Sequence, residues 1–328
     1  MRLLGVEIRR ILYRVMVIAV ALFGLAGVVL TVVGISQSLV PLTPEVLADA
    51  ERQYEFAVED WEENHQEWEE ECLEERERQQ ESGEDVTGWI CEMEAPQREW
   101  YIPQSPELDE TLPMFLGGTS MLLALVALVI GVTSTAAEMS TGAMGTWLTF
   151  VPQRMRVLAS KIAAVVAVTA PLTAVLIGLV VLGLYLAHAR ADLTNGMDGA
   201  AWGDTAVVAA RIVGLGALAG GLGAAFGVLL RHTGAALGVL LGYLALVEGM
   251  VRGLIPATQP YLLSLNMQGF VQGKASYWVT TCTVTSDGTL CEGVEKTIGL
   301  THASVYLAAV SVALLTVTAL VFRRRDIS

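Results

Sequence analysis

Six separate stretches of this chain are each apolar over some 20 residues or more. That repetition limits what it can fold into more than any other feature. A helix needs roughly 20 mostly apolar residues to cross a bilayer core, and helices or closed barrels alone satisfy their backbone there. The stretches cover residues 15–36, 112–133, 157–188, 205–230, 233–251 and 302–322. The first is too long for a cleavable leader, and no small-x-small cleavage site precedes the acidic region that follows. It is read as a retained first span. Hydrophobic residues make up 53% of the chain and charged ones 16%, against about 25% charged in soluble domains. A soluble enzyme, a disordered chain and a nucleic-acid binder are thereby excluded. The expected fold is an all-α polytopic membrane protein with six transmembrane helices.

The formal charge of -14 is concentrated in one place. Residues 37–111 hold 24 acidic and 4 basic side chains, a balance of -20, and the remainder holds 16 basic and 10 acidic, a balance of +6. Only three of the 20 basic residues are lysines, Lys161, Lys274 and Lys296. With abundant Ala, Gly and Val, this suggests a GC-rich genome of the actinobacterial kind.

Basic residues in short flanks set orientation. Arg2, Arg9, Arg10 and Arg14 precede the first span, and Arg154, Arg156 and Lys161 follow the second. Arg231 follows the fourth, and Arg323–Arg325 close the chain in the tail 323–328. With six spans all of these fall on one side, read as the cytoplasm of a bacterial plasma membrane. The insertion 37–111, the loop 189–204 and the segment 253–301 then lie outside. Arg211 is expected to snorkel outward toward Asp204 or Asp192. Residues 1–14 are too polar to span. Leu3, Leu4, Ile8, Ile11 and Leu12 share a helical face ringed by arginines, so this segment reads as an interfacial helix or as a polar extension of the first span.

All four cysteines, Cys72, Cys91, Cys282 and Cys291, fall in segments assigned outside, where disulfides persist. Nearest-neighbour pairing is expected, Cys72 with Cys91 and Cys282 with Cys291. The run Trp278–Val284 is rich in strand formers and Asp287-Gly288 signals a turn. A four-residue loop, Thr285–Gly288, sets Cys282 opposite Cys291 in a clasped hairpin. The spacings do not resemble a zinc site, and no metal centre is expected.

From Pro44 to Gln80 no glycine and no further proline occurs, and Glu, Ala, Leu, Arg and Gln abound. A single helix is expected there. Leu47, Ala50, Tyr54, Ala57, Trp61, Trp68 and Cys72 recur in steps of three and four apart from one gap, a heptad-like stripe among carboxylates. It reads as a packed stalk, with docking of an extracellular partner or a cationic substrate as the alternative. Cation binding has no Asp-x-Asp-x-Asp-Gly loop in its support.

Within the spans, Gly216-x-x-x-Gly220 predicts close helix packing, inside the bundle or against a second copy. Glu248 is the one carboxylate well inside the fifth span, and Arg252 stands at i+4. A satisfied pair is the simplest reading, and lining of a polar path or proton coupling are the others. His188, His232 and His302 sit at span ends and read as wet and non-catalytic.

The segment 134–156 is the most informative. Thr135-x-x-Glu138 fits a capping box that starts a short helix, Gly142 and Gly145 bend it, and Pro152 stops it. Arg154, Arg156 and Lys161 then anchor the next span at the headgroups. The order Glu138, Gly142, Leu148-Thr149, Pro152, Arg154 and Lys161 resembles the permease subunits of ABC-2-type transporters. Glu248 followed by Pro256, and the ending Phe322-Arg-Arg-Arg-Asp326, are similar to family patterns too. The likeness covers residues 1–36 and 112–328, and the insertion 37–111 departs from it. The resemblance implies a dimer, with a second copy or a homologous permease, bound by two copies of a separate ATPase that holds ATP and Mg. It implies that 134–156, with Glu138, Gly142, Trp147, Pro152 and Arg154, is the coupling element. It also implies that Pro256–Gly273 forms short re-entrant or interfacial helices.

The expected function is the transmembrane subunit of an ATP-driven exporter for a hydrophobic, amphipathic or peptidic substrate. A receptor or scaffold, or an ion-coupled transporter using Glu248, are the alternatives. No Gly-x-x-x-x-Gly-Lys-[Ser/Thr] phosphate loop occurs, and Gly273-Lys274 is followed by Ala275. The purified chain is therefore expected to hydrolyse no ATP. Nucleotide turnover by this polypeptide alone, in a steady-state phosphate-release assay, contradicts that reading.

Overall fold

A computed structural model describes residues 2–83, 86, 88–142, 153–285 and 288–324. Trp147 and Pro152 lie outside the described residues, as do Leu148, Thr149 and the end of the basic tail. Nine helices of ten residues or more, two short 3-10 helices (Arg98–Trp100 and Pro256–Tyr261) and one hairpin are described: α1 Arg2–Leu12, α2 Val15–Ser38, α3 Pro44–Glu81, α4 Leu108–Ser140, α5 Arg154–Arg190, α6 Gly199–Leu230, α7 Thr233–Leu254, α8 Leu263–Gln272, β1 Lys274–Thr285, β2 Gly288–Gly299 and α9 Leu300–Arg324. Six of them, α2, α4, α5, α6, α7 and α9, are long and apolar enough to cross a membrane. An even number of spans puts both chain ends on one face, here called the terminal face. The insertion occupies the opposite face.

Helices α4 and α6 form the centre. In each, 61% of the most apolar window is buried, against 17% in α2 and 6% in α7. Their axes close up because glycines face backbone. A Cβ on Gly223 would stand 2.2 Å from the carbonyl oxygen of Leu128, and one on Gly131 would stand 2.1 Å from that of Gly220. Gly216 and Gly220 also work inside the bundle, against α5. A Cβ there would lie 2.3 Å from Thr173 Oγ1 and 2.4 Å from Thr169 Oγ1. In a bilayer, where lipid tails are as apolar as leucine, such close approach supplies the packing attraction that holds helices together.

Helix α1 is a separate element, broken from α2 at Tyr13–Arg14. Leu4, Ile8 and the buried Ile11 pack on Val126, Ile130, Val165 and Val168, so α1 lies against α4 and α5. Leu12, placed by sequence on the same face, is exposed instead. Eleven residues at 100° each put position 12 off the stripe of 4, 8 and 11.

Helix α3 runs 38 residues without interruption, roughly 57 Å at 1.5 Å per residue. Thr43 caps its start, accepting from Val46 N–H, and Gly83 ends it at φ +84°. Part of its apolar stripe is covered by the returning segment: Tyr54 meets Tyr101 with ring centroids 6.0 Å apart, Glu51 pairs with Arg98, and Ala50 is buried, whereas Leu47 is exposed. Trp61 stacks on His65. Trp68 is left exposed beside the Cys72–Cys91 bond. Both expected disulfides are formed. In the hairpin Cys282 pairs with Cys291, and the ladder continues to Thr285 opposite Gly288, leaving a shorter connection than the four-residue loop read from sequence.

Gly223→Ala is expected to destabilise the bundle by at least the roughly 1–3 kcal/mol typical of overpacking, because the obstacle is backbone. Gly214→Ala, which meets nothing within 4 Å, serves as the control and is expected to be near neutral. Thermal unfolding midpoints of both variants in one detergent check this.

Candidate functional site

The end of α4 on the terminal face carries a buried carboxylate, Glu138, 4% exposed. The position is electrostatically poor. It lies in the last turn of a 33-residue helix, where unpaired carbonyls already concentrate negative partial charge. Cations gather round it from two other elements. Arg14, in the break between α1 and α2, donates through Nη2 to Glu138 Oε1, and Lys161 Nζ of α5 donates to Oε2. Arg10 of α1 stands 3.5 Å from Oε1. Arg14 Nη1 also donates to the carbonyls of Ser134 (2.8 Å) and Thr133 (3.3 Å), neutralising part of the helix end itself.

Lys161 is shared. Its ammonium also lies 3.0 and 3.1 Å from the two oxygens of Glu7 in α1. Glu7, Glu138 and Lys161 are 2–4% exposed. Two carboxylates and three cations thus tie α1, α4 and α5 together at one level. Glu7, Glu138 and Lys161 are kept out of water only because their partners are present, since breaking such a pair leaves an uncompensated charge, while Arg10 and Arg14 stay partly exposed.

This arrangement corrects several sequence readings. Thr135-x-x-Glu138 starts no helix, because α4 runs unbroken to Ser140. Thr135 instead donates its hydroxyl across the bundle to Ala224 O at 2.8 Å, and Glu138 enters the ion cluster. Lys161 is buried in that cluster and is not a headgroup anchor, whereas Arg156 does remain exposed, bonded to Gln153. Gly142 follows the helix end at φ +72°, and Arg154 opens α5. Glu7 was missed by sequence reasoning. Its signal is its place: position 7 stands three residues after Leu4 and four before Ile11, bordering the apolar stripe, where a buried carboxylate needs a partner.

On the opposite face three more assignments change. Glu248 forms no ion pair with Arg252 among the described residues. Nine residues of α7, Tyr243–Val251, are π-helical, a form that stacks residue i over i+5 rather than i+4. Glu248 therefore accepts from the hydroxyl of Tyr243, five residues back, at 2.9 Å. It also accepts from the backbone N–H of Ser264 at 3.0 Å and from the Ser264 hydroxyl. Arg211 turns neither to Asp204 nor to Asp192. Its Nη1 donates to Val271 O at 3.3 Å, at the C-terminal end of α8. His188 is fully buried rather than wet. Its Nδ1 donates to Leu184 O at 2.9 Å, and Nε2 lies 3.2 Å from Thr111 Oγ1.

Comparison with known protein families matches residues 1–327 to the model described as ABC-2 family transporter protein. The chain belongs to that family. This ABC-2 family member is therefore a multi-pass membrane transport subunit, and the six apolar helices are those of a permease. No curated protein and no solved structure matches it. The acidic insertion lies within the matched range of the permease rather than beyond it.

Lys161→Met is expected to destabilise the permease by roughly 3–5 kcal/mol, the range for a buried pair stripped of one partner. Adding Glu7→Gln, which removes the carboxylate whose cation partner is Lys161 while Glu138 keeps Arg14 and Arg10, is expected to recover much of that loss. Thermal unfolding midpoints of the single and double variants test it, and equal midpoints show that the charges are not coupled.

Proposed function

We propose that this chain is the membrane-spanning half of an ATP-driven exporter, working as a dimer with a second copy or a homologous permease. A separate ATPase subunit would bind ATP and Mg on the terminal face. In this reading the terminal face is the cytoplasmic side of a bacterial plasma membrane and the acidic insertion is external. The substrate is hydrophobic, amphipathic or peptidic.

The observation that carries the reading is the buried cluster around Glu138. It joins the last turn of α4, at the entrance to the segment leading to Arg154, to α1 and α5. A push delivered to that segment by a partner would reach three helices through contacts that cannot stretch without exposing a charge. Discrete rearrangement, rather than gradual bending, is the expected response of such an element. The lightly buried spans α2 and α7 offer the faces that a second protomer needs. ATP chemistry would stay with the partner, and this chain would supply the path and the mechanical link.

A second role has its own support. Trp68, Trp89, Ile90 and Met93 are exposed around the Cys72–Cys91 bond, amid the carboxylates of α3. An extracellular partner at the acidic insertion would find an apolar contact with an anionic rim there.

In vesicles holding the permease and its ATPase, Glu138→Gln and Arg154→Ala are expected to lower substrate-stimulated ATP turnover at least tenfold, with membrane insertion unchanged by protease protection. Normal stimulated turnover in both variants removes the coupling role from this segment.

A further inference from the structure

On the terminal face the start of α5 and the end of α9 enclose a pocket of about 500 Å³. Gln153, Arg154, Met155, Arg156 and Arg323 line it. Three of these five side chains are guanidinium cations and none is acidic. The volume falls within the roughly 300–1,000 Å³ of small-ligand sites.

The place is electrostatically costly for cations. Arg154 and Arg156 stand in the first turn of a 37-residue helix, where unpaired N–H groups already concentrate positive partial charge. That turn holds no acidic residue, and the Gln153 side chain does not cap it. Gln153 instead accepts from Arg156 Nη1 at 3.1 Å. Arg156 and Arg323 enter no ion pair with a described residue. Relief does not come from deeper in the bundle, because the cluster around Glu138 sets two carboxylates against three cations. Guanidinium groups beside a helix N-terminus, with no acid in the lining, form an arrangement that suits a phosphate.

Depth decides which phosphate. Phe322, the neighbour of Arg323, is buried against Val157 and Leu158, which follow Arg156. The pocket therefore opens where the apolar spans give way to their basic ends, at the level of lipid headgroups. Its surroundings are not wholly polar. Met155 is exposed within the lining, and so is Leu320, three residues before Arg323 and on the same face of α9. Over their most apolar windows α5 and α9 are only 39% and 22% buried, which leaves room for acyl chains along them. A soluble anion would use the arginines and leave these apolar surfaces bare. Basic pockets between spans at this level recognise anionic headgroups.

We propose that this pocket holds the phosphate of an anionic phospholipid from the leaflet on the terminal face. Arg154, Arg156 and Arg323 take the phosphate, and the acyl chains run past Leu320 along α9. The inference goes beyond the exporter reading and stands apart from it, since the binding needs no ATPase and is measured without one.

The test titrates the full chain, in detergent micelles, with phosphatidylglycerol or with phosphatidylcholine of the same acyl chains, and native mass spectrometry counts the bound lipid. Phosphatidylglycerol is expected to bind at least tenfold tighter. The double variant Arg156→Gln/Arg323→Gln is expected to lower its affinity at least fivefold and to leave phosphatidylcholine unchanged. Arg190→Gln, which removes an exposed arginine at the opposite end of α5, is expected to alter neither. Both replaced side chains of the double variant are exposed, and Arg323→Gln alone, expected to lower the affinity at least twofold, serves if the double variant fails to fold. Equal binding of the two lipids overturns the proposal, as does a phosphatidylglycerol preference that survives the double variant or that Arg190→Gln lowers equally. Glycerol phosphate, which has the phosphate without the chains, is expected not to displace the lipid at equal concentration. Displacement by it makes the pocket a soluble-anion site and overturns the lipid assignment. A preference retained by the double variant while the ATPase no longer co-purifies assigns the pocket to protein docking instead.

Discussion

A carboxylate at the C-terminal end of a membrane helix is opposed twice, by the helix's own carbonyl charge and by the scarcity of water. Glu138 is in that position, and much of the terminal face is arranged around it. Arg14 can serve it only because the chain breaks between α1 and α2. Lys161 can serve it only because α5 starts about two turns earlier, so that its ammonium is drawn inward. Glu7 then becomes necessary as well, since Lys161 carries a charge that two carboxylates share. The burial of α1 against α4 and α5 follows from this set as much as from Leu4, Ile8 and Ile11. Hydrophobic contact alone would leave α1 free to slide along the bundle, whereas directional pairs fix its register.

The central packing obeys a different rule. Between α4 and α6 small residues face backbone, and between α5 and α6 glycines face threonines. Nothing apolar drives this association in lipid, so closeness itself has to supply the attraction. The two devices divide the molecule. Glycine contacts set the distances between spans through their length, and charge contacts lock one end.

Much of this was legible in the sequence because it is periodic or counted. Six runs of apolar residues, a long stretch free of glycine, and four cysteines in two separated pairs are one-dimensional facts with three-dimensional consequences. The pairing of Cys282 with Cys291 was legible as a clasped hairpin, whereas the four-residue loop read with it was too long, since Thr285 and Gly288 are themselves paired. What was not legible depended on where a helix ends or on which form it takes. The Thr135-x-x-Glu138 pattern describes a helix start only if the chain enters a helix there, and α4 was already helical. The i+4 rule that paired Glu248 with Arg252 holds for an α-helix and fails in a π-helix. Lys161 and His188 occupy positions that suit the membrane surface by sequence, and partners more than 20 residues away draw them inside. The basic residue Arg211 was assigned to nearby acids, yet a carbonyl 60 residues along the chain was the better acceptor. Trp147 and Pro152 belong to the coupling segment in the sequence reading, and they lie outside the described residues.

The short helix α8 is attached at each end to a different span. Its first turn hangs on Glu248 of α7, and one carbonyl of its last turn, that of Val271, accepts from Arg211 of α6, with Gly273 in the left-handed conformation just beyond. The hairpin and α9 continue directly from it. Ten residues of helix are about 15 Å long and do not stretch. If α6 and α7 shift along their axes relative to each other, α8 must tilt like a beam on two unequal piers, or release one of them. A sliding motion within the membrane is thereby converted into rotation at its surface, and the clasped hairpin, carried at the far end of the beam, would sweep through the larger arc.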